Sequence, residues 1–378
     1  MIGGKVKMHV NIEKLRSSTL AFVQKCHRDE KNTGVYYFSG NAEKPTLYSS
    51  TYAAMLKSLY NDLPGKAQCD EWASYIDGFQ NNDGLFKDPV IWNEGWYKDD
   101  PFWCGRMHLT CHVIVALSCL GHTVRTPFGI AHKFGDIEFM RSWLSSRDWK
   151  TIRISTTGNE VMNIGTLLQY ARDFHNDTKA GKAVEFLLDW LTENHINKDS
   201  GLWGTLDISN TRERSESVMA AYHFWPLFTY DGRRIPYMEK AIDSLLSTQN
   251  PNGGFGWGCH NGGNPYTSSA CEDIDSIEPL CRFSKMSSFR NADIAAALER
   301  ALPWVLCNQM EDGGFVFTKD NPFFYGHRQL SATENTGAMF PTWFRTLSLA
   351  YLGNTMIKSG QFNYPWHFAR CPGYQFQE

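Results

Sequence analysis

Gln249-Asn250-Pro251-Asn252-Gly253-Gly254-Phe255-Gly256-Trp257 is the stretch that decides the fold. A helical run ends in glutamine, glycines make a tight turn, and an aromatic residue closes it. Gln309-Met310-Glu311-Asp312-Gly313-Gly314-Phe315 repeats it closely, and Gly34-Val35-Tyr36, Gly84-Leu85-Phe86 and Gly201-Leu202-Trp203 are shorter copies. Neighbouring copies lie 50, 53 and 60 residues apart, with one gap of 117 between Gly84 and Gly201. That gap predicts one degenerate copy near Trp149 to Ile154. A fixed period of this size marks a repeat architecture, in which each unit buries its apolar face against the next.

Two helical patterns flank each turn. One set runs into the turns over about 13–26, 66–79, 136–147, 178–195, 235–248 and 291–308, and it is amphipathic, as in Ala183-Val184-Glu185-Phe186-Leu187-Leu188-Asp189-Trp190-Leu191. One wet face places these helices outside. The other set leaves the turns over about 47–62, 104–121, 157–174, 213–230, 268–285 and 332–352. It is apolar nearly all round, as in Leu109-Thr110-Cys111-His112-Val113-Ile114-Val115-Ala116-Leu117, and belongs inside. Six outer helices alternating with six inner ones predict an all-α (α/α)6 toroid. Residues 1–378 read as one such domain, since no Pro-, Gly- or Ser-rich linker divides them.

A net charge of −3 without a long basic run gives no sign of nucleic acid. The start, Met1-Ile2-Gly3-Gly4-Lys5-Val6-Lys7, lacks the apolar core of a signal peptide, and no apolar run is long enough to span a membrane. Ten scattered cysteines without a Cys-x-x-Cys pair read as reduced packing residues of a cytoplasmic protein.

Acids crowd the expected starts of the inner helices. Thr157-Gly158-Asn159-Glu160, Asn210-Thr211-Arg212-Glu213, Ser269-Ala270-Cys271-Glu272 and Ser331-Ala332-Thr333-Glu334 have capping-box spacing. Buried helix ends need such partners, so Glu160, Glu213 and Glu334 are expected to hold helix ends. Asp273, Asp275, Glu216 and Glu278 remain without a capping role. A carboxyl kept neutral by burial and like charge is a proton donor. The plainer alternative pairs Asp273 and Asp275 with Arg106, Arg212, Arg214 or Arg282.

His108 and His112, four apart, share one helix face, a spacing that also fits two ordinary buried histidines. Neither a His-Glu-x-x-His motif nor a third ligand marks a metal site, and none is expected. Trp103 and Arg106 sit at the same helix start. Trp96, Tyr222, Trp225, Trp257, Tyr266, Phe340, Trp343 and Phe344 form an aromatic set on or near inner helices. Such rings stabilise cations, stack on sugars or fill cores.

The stretch Gln249 to Trp257 resembles the Q-W repeat of squalene-hopene cyclases, within the terpene cyclase and prenyltransferase toroid superfamily. Asp273-Ile274-Asp275-Ser276 follows it, as an Asp-x-Asp-Asp motif follows such a turn in class II cyclases. The resemblance implies that Asp275 protonates an alkene or epoxide, with Asp273 and Glu272 tuning it. Ser276 stands where the family has its last Asp, and Ile277-Glu278 where it has Thr-Ala. Family cyclases generally place the cavity between two toroids, and this chain has one. A second toroid subunit or a homo-oligomer is therefore left open, as is peripheral membrane contact.

The leading expectation is protonation-initiated cyclisation of an isoprenoid, with no cofactor required. A divalent metal helping to hold a diphosphate stays open. Trp103, Arg106, His108, His112, Glu216, Trp257, His260, Tyr266, Glu278 and Trp343 are the expected substrate-binding set. The rival is a carbohydrate-active (α/α)6 enzyme, a polysaccharide lyase or sugar epimerase, for which Glu160 and Arg328 would join the histidines, Arg106 and Tyr266. A third reading is a non-catalytic toroid binding a lipid or partner. A dry aromatic cavity favours the cyclase, and a wet cleft with several arginines, histidines and carboxylates favours the sugar enzyme.

Overall fold

The computed structural model describes residues 10–29, 31–260, 262–264, 266–356 and 364–373. Its first helices are α1 (Ile12–Lys25), α2 (Leu47–Leu59), α3 (Lys66–Asp77), α4 (Arg106–Cys119), α5 (Gly129–Phe134), α6 (Ile137–Ser145) and α7 (Ile154–Phe174). They are followed by α8 (Thr178–Glu193), α9 (Thr211–Tyr230), α10 (Met238–Leu246), α11 (Ala270–Met286), α12 (Asn291–Leu306) and α13 (Met339–Met356). The inner helices pack in the order α2, α4, α7, α9, α11, α13, and α13 returns to α2, so the ring closes. The outer set is α1, α3, α6, α8, α10 and α12; α5 is a short addition that the sequence pattern did not predict.

Burial follows composition. In α4 every residue but Arg106 and Ser118 is buried. In α8 Ala183, Val184, Leu187, Leu188 and Leu191 are buried, while Lys179 and Glu185 face solvent. Strand is confined, among the described residues, to two pairs: β1 (Ile196–Asn197) with β2 (Leu202–Trp203), and β3 (Phe323–Phe324) with β4 (Ser331–Ala332).

The repeated turns join one unit to the next. Gln249 Nε2 donates to Gly253 O within its turn at 3.1 Å and to Ala297 O of α12 at 2.7 Å. Gln80 does the same with Gly84 O and Thr126 O. Gln309 Nε2 donates to Gly313 O and, at 3.2 Å, to Thr19 Oγ1 of α1, so the last turn grips the first helix. Gly253 has φ +98°, and a Cβ there would collide with Arg300 O, so only glycine fits. The degenerate turn lies at the expected place. Trp149 Nε1 donates to Leu144 O at 2.8 Å, as Trp203 Nε1 donates to Leu191 O at 2.7 Å in the next unit.

The cap expectations divide. Ser269 and Glu272 form a complete capping box at the start of α11. Asn210 caps α9, but Glu213 reaches past it to Asp207 N at 2.8 Å. Glu160 is no cap: α7 begins earlier, at Ile154, and Glu160 pairs with Arg147 at 2.9 Å. Glu334 is none either, because α13 begins only at Met339 and Glu334 is exposed in the loop after β4. The intervening segment has another use: it folds over one mouth of the ring.

That segment, 317–338, packs against the 88–105 loop. Trp96 N donates to Gly326 O at 3.0 Å, Tyr97 Oη to Tyr325 O at 2.9 Å, and His327 Nε2 lies 2.8 Å from Glu94 Oε1. Gly326 has φ +75°, and a Cβ there would stand 2.5 Å from the Trp96 ring. The other end of the ring is crossed by residues 364–373. His367 N donates to Leu59 O, Phe368 packs on Tyr351, and Gly373 approaches Val115 and Cys111.

Candidate active site

Between the lid and the upper turns of the inner helices lies a cavity of about 570 Å³, within the usual range of small-molecule sites. His108 and His112 of α4, Asn159 of α7, Met219, Tyr222 and His223 of α9, Cys271 and Asp275 of α11, and Phe340 and Phe344 of α13 line it. The lid adds Phe317, Phe323, Phe324 and Tyr325, and the facing loops add Trp96, Trp103 and His260. Among the described residues, no lysine or arginine lines it.

Among the described residues, Asp275 is the only acid lining the cavity. It is 2% exposed, and no cation pairs with it among the described residues. Burial, reinforced by the Glu272, Glu278 and Asp273 carboxyls, raises it well above the usual carboxylate range. The protonated form is therefore favoured.

The neighbouring acids have other work. Asp273 Oδ1 accepts from Phe255 N at 2.9 Å and Oδ2 from Trp304 Nε1 at 2.8 Å, and Arg345 completes a buried ion pair. Thr110 and Thr342 receive the same Phe N–H in the turns at Phe86 and Phe315, so Asp273 occupies a structural position of the repeat. Its partner Arg345 was not among the four arginines the sequence suggested. Glu272 Oε1 accepts from Gly258 N and Cys259 N, at 2.8 and 2.9 Å, beyond its capping bonds. Neither Asp273 nor Glu272 lines the cavity.

Of the expected substrate-binding set, Trp103, His108, His112 and His260 line the cavity. Arg106 does not; it is held by Asp83 and Asp100 at 2.6 and 2.8 Å. Glu216 accepts from Ser155 Oγ at 2.8 Å, and Glu278 pairs with Arg282 at 2.7 Å. Trp343 is buried against Tyr52, Tyr266 is exposed outside the cavity, and Trp257 packs beside Gly263 in its own loop. These six therefore stand off the cavity wall. The sequence reading passed over Asn159, His223 and Tyr325. His223 had a signal: it interrupts an inner helix that is otherwise apolar at that level.

The three histidines are neutral bases. Burial takes His112 and His223 down to about 4 and His108 well below its ordinary value. His112 Nδ1 faces His108 O at 2.9 Å and His223 Nδ1 faces Met219 O at 2.6 Å. A ring nitrogen facing a carbonyl carries the proton, which leaves Nε2 as the basic atom. His108 Nδ1 lies 2.7 Å from Tyr48 Oη, and its Nε2 lies 3.5 Å from Tyr325 Oη. Around them the rings stack: Tyr325 on Phe340 at 4.8 Å, and Phe317 on Phe323 at 4.4 Å. Among the described residues no group of three or more His, Cys, Asp or Glu is arranged to hold a metal ion.

Solved structures with a similar fold include a polysaccharide lyase, 11% identical over 93% of this chain and 98% of that chain, with a TM-score of 0.53. The ligand-free type II terpene cyclase MstE from Scytonema is 12% identical over 92% of this chain and 98% of its own, with a TM-score of 0.50. A glycosyl hydrolase of family 88 from Bacteroides vulgatus is 13% identical over 91% and 98%, also with a TM-score of 0.50. At these identities the likeness shows the fold alone: the chain is an (α/α)6 toroid. No protein-family model and no curated protein matches the chain. The three neighbours differ in chemistry, so function has to be argued from the cavity.

Proposed function

We propose that this toroid is a class II terpene cyclase-like enzyme that starts cyclisation of an isoprenoid by protonating it in the central cavity. One observation carries the reading: Asp275, pushed toward its acid form by burial, is the only acid among the described residues of a wall built mainly of aromatic rings and imidazoles, with no described arginine or lysine on it. The π electrons of an alkene take the Asp275 proton, leaving a carboxylate and a carbocation. Faces of Phe323, Tyr325 and Phe340 suit that cation through their quadrupoles. Ring closure moves the cation along the chain, and a neutral imidazole takes the final proton as the last double bond forms. Protonation by a carboxylic acid draws on no metal.

A second reading keeps one specific observation. The Tyr48–His108–Tyr325 contacts join hydroxyls to an imidazole, an arrangement fit to take a proton from a sugar carbon. Among its described residues the same wall offers no arginine to hold a uronate carboxylate.

The test compares squalene-like polyenes and polyprenyl diphosphates with acidic oligosaccharides. Turnover of a polyene by the wild type and none by Asp275→Asn is the expected result, since the amide keeps the shape and loses the acidic proton. Full activity in Asp275→Asn would remove Asp275 from the chemistry. Activity on the sugars alone would move the assignment to His108 and Tyr325.

A further inference from the structure

The outer wall of the ring has a gap. There α10 has 9 residues where α8 and α12 have 16, and the short helix leaves a solvent-facing cleft of about 1320 Å³. Among the described residues, none lines both this cleft and the central cavity.

The two spaces differ in charge. Arg233, Arg234 and Lys240 stand on one bank of the cleft and Arg282 and Lys285 of α11 on the other, against a single lining acid, Glu239. Arg233 is held by Asp189 and by Glu185 at 2.6 Å, and Arg282 by Glu278 at 2.7 Å. Arg234, Lys240 and Lys285 are exposed, and among the described residues no carboxylate pairs with them. The chain as a whole has a net charge of −3, so this cationic excess is local. Like charges that converge on a concave space focus their field there.

The banks also carry apolar surface. Tyr237 and Met286, 41% and 49% exposed, face each other across the charged groups as part of the same lining. A bare ion makes no use of a phenol ring and a thioether, whereas an amphiphilic ligand covers both. Its anionic head has to meet cations from two elements at once. A phosphate or diphosphate does so, with several acceptor oxygens and more than one negative charge, and a lone carboxylate has fewer of both.

We propose that the outer cleft binds a phosphate-bearing ligand with an apolar body, at a site separate from the cavity. Arg234 and Lys285 take the phosphate oxygens from opposite banks, Lys240 adds charge, and Tyr237 and Met286 cover the apolar body. The site stands whether or not Asp275 is a proton donor. A soluble phosphate ester and a lipid headgroup present the same chemistry to it.

The test is calorimetric titration with inorganic pyrophosphate and with farnesyl diphosphate, beside flotation with vesicles of neutral lipid with and without phosphatidic acid. Farnesyl diphosphate is expected to bind more tightly than pyrophosphate. Arg234→Gln/Lys285→Gln is expected to weaken both by at least about tenfold, the loss that removing charged hydrogen bonds implies. Tyr237→Ala/Met286→Ala should bring farnesyl diphosphate down to the level of pyrophosphate and leave pyrophosphate unchanged. All four positions are exposed, so these variants keep the fold. Asp275→Asn should bind as the wild type does, which separates the cleft from the cavity. Capture by phosphatidic acid vesicles alone, lost in Arg234→Gln/Lys285→Gln, would assign the phosphate to a lipid headgroup. Binding of none of these probes would overturn the site. An equal loss in Lys25→Gln/Lys87→Gln, on exposed positions outside the cleft, would overturn it too, by showing general surface charge.

Discussion

Two aspartates two residues apart sit in opposite environments, and helix geometry is the reason. At about 100° per residue they point about 200° apart. Asp273 faces outward to Trp304 and Arg345, while Asp275 faces the cavity. Arg345→Met would leave Asp273 buried without its counter-charge. The expected loss is about 3–5 kcal/mol in chemical denaturation, and an unchanged midpoint would refute the structural role. Asp275→Asn has the opposite expectation. A carboxyl whose folded value is raised adds stability below its ordinary value of 3.8 and loses that contribution as pH rises toward the folded value. At neutral pH the amide variant should therefore be at least as stable as the wild type by thermal melting, although inactive. The motif spacing singled out Asp275, which the structure places on the cavity wall. Arg345, 72 residues from Asp273, was not legible, because nothing local marks a partner brought in by ring closure.

At the scale of elements, the turns were legible and some helix starts were not. A glycine pair after glutamine encodes its own geometry, so Gly253 and Gln249 could be read directly. A capping box is only a spacing, and it fits wherever Ser or Thr precedes Glu by three. Ser269–Glu272 is a true box, whereas Ser331–Glu334 lies in β4 and the loop after it because the chain there was taken up by the lid. Ser269→Ala should cost about 0.5–2 kcal/mol. Glu334→Ala, on an exposed loop, should stay within about 0.5 kcal/mol of the wild type. Equal losses in the two variants, measured by urea denaturation, would contradict the difference seen in the structure. The lid itself was beyond the pattern: Phe323, Tyr325 and His327 sit between repeats, where no period predicts them, yet the first two supply cavity wall.

For the whole molecule, closing a ring of apolar helices brings three buried histidines and one buried carboxyl to one cavity, and their titration contributes to the response to mild acid. His112 and His223 fall from an ordinary 6.5 to about 4 in the folded protein, and His108 lies well below 6.5. Between these values the unfolded chain binds more protons than the folded one, so stability falls as pH drops from about 6.5 toward 4. Asp275 works against this, since above 3.8 its folded form holds a proton that the unfolded chain has lost. Buried Asp88, raised to about 6, adds to the same opposing slope, so wild-type stability is the balance of the histidines against these carboxyls. Asp275→Asn removes its share of the opposing slope, so its stability should fall more steeply through the same window. The added slope is up to about 1.4 kcal/mol per pH unit, the equivalent of one proton. His112→Gln/His223→Gln should flatten the decline instead. Urea titrations from pH 7 to 4 on the three proteins decide it. Parallel curves for all three would mean that the cavity groups titrate at their ordinary values, and would leave Asp275 ionised at neutral pH and unable to donate.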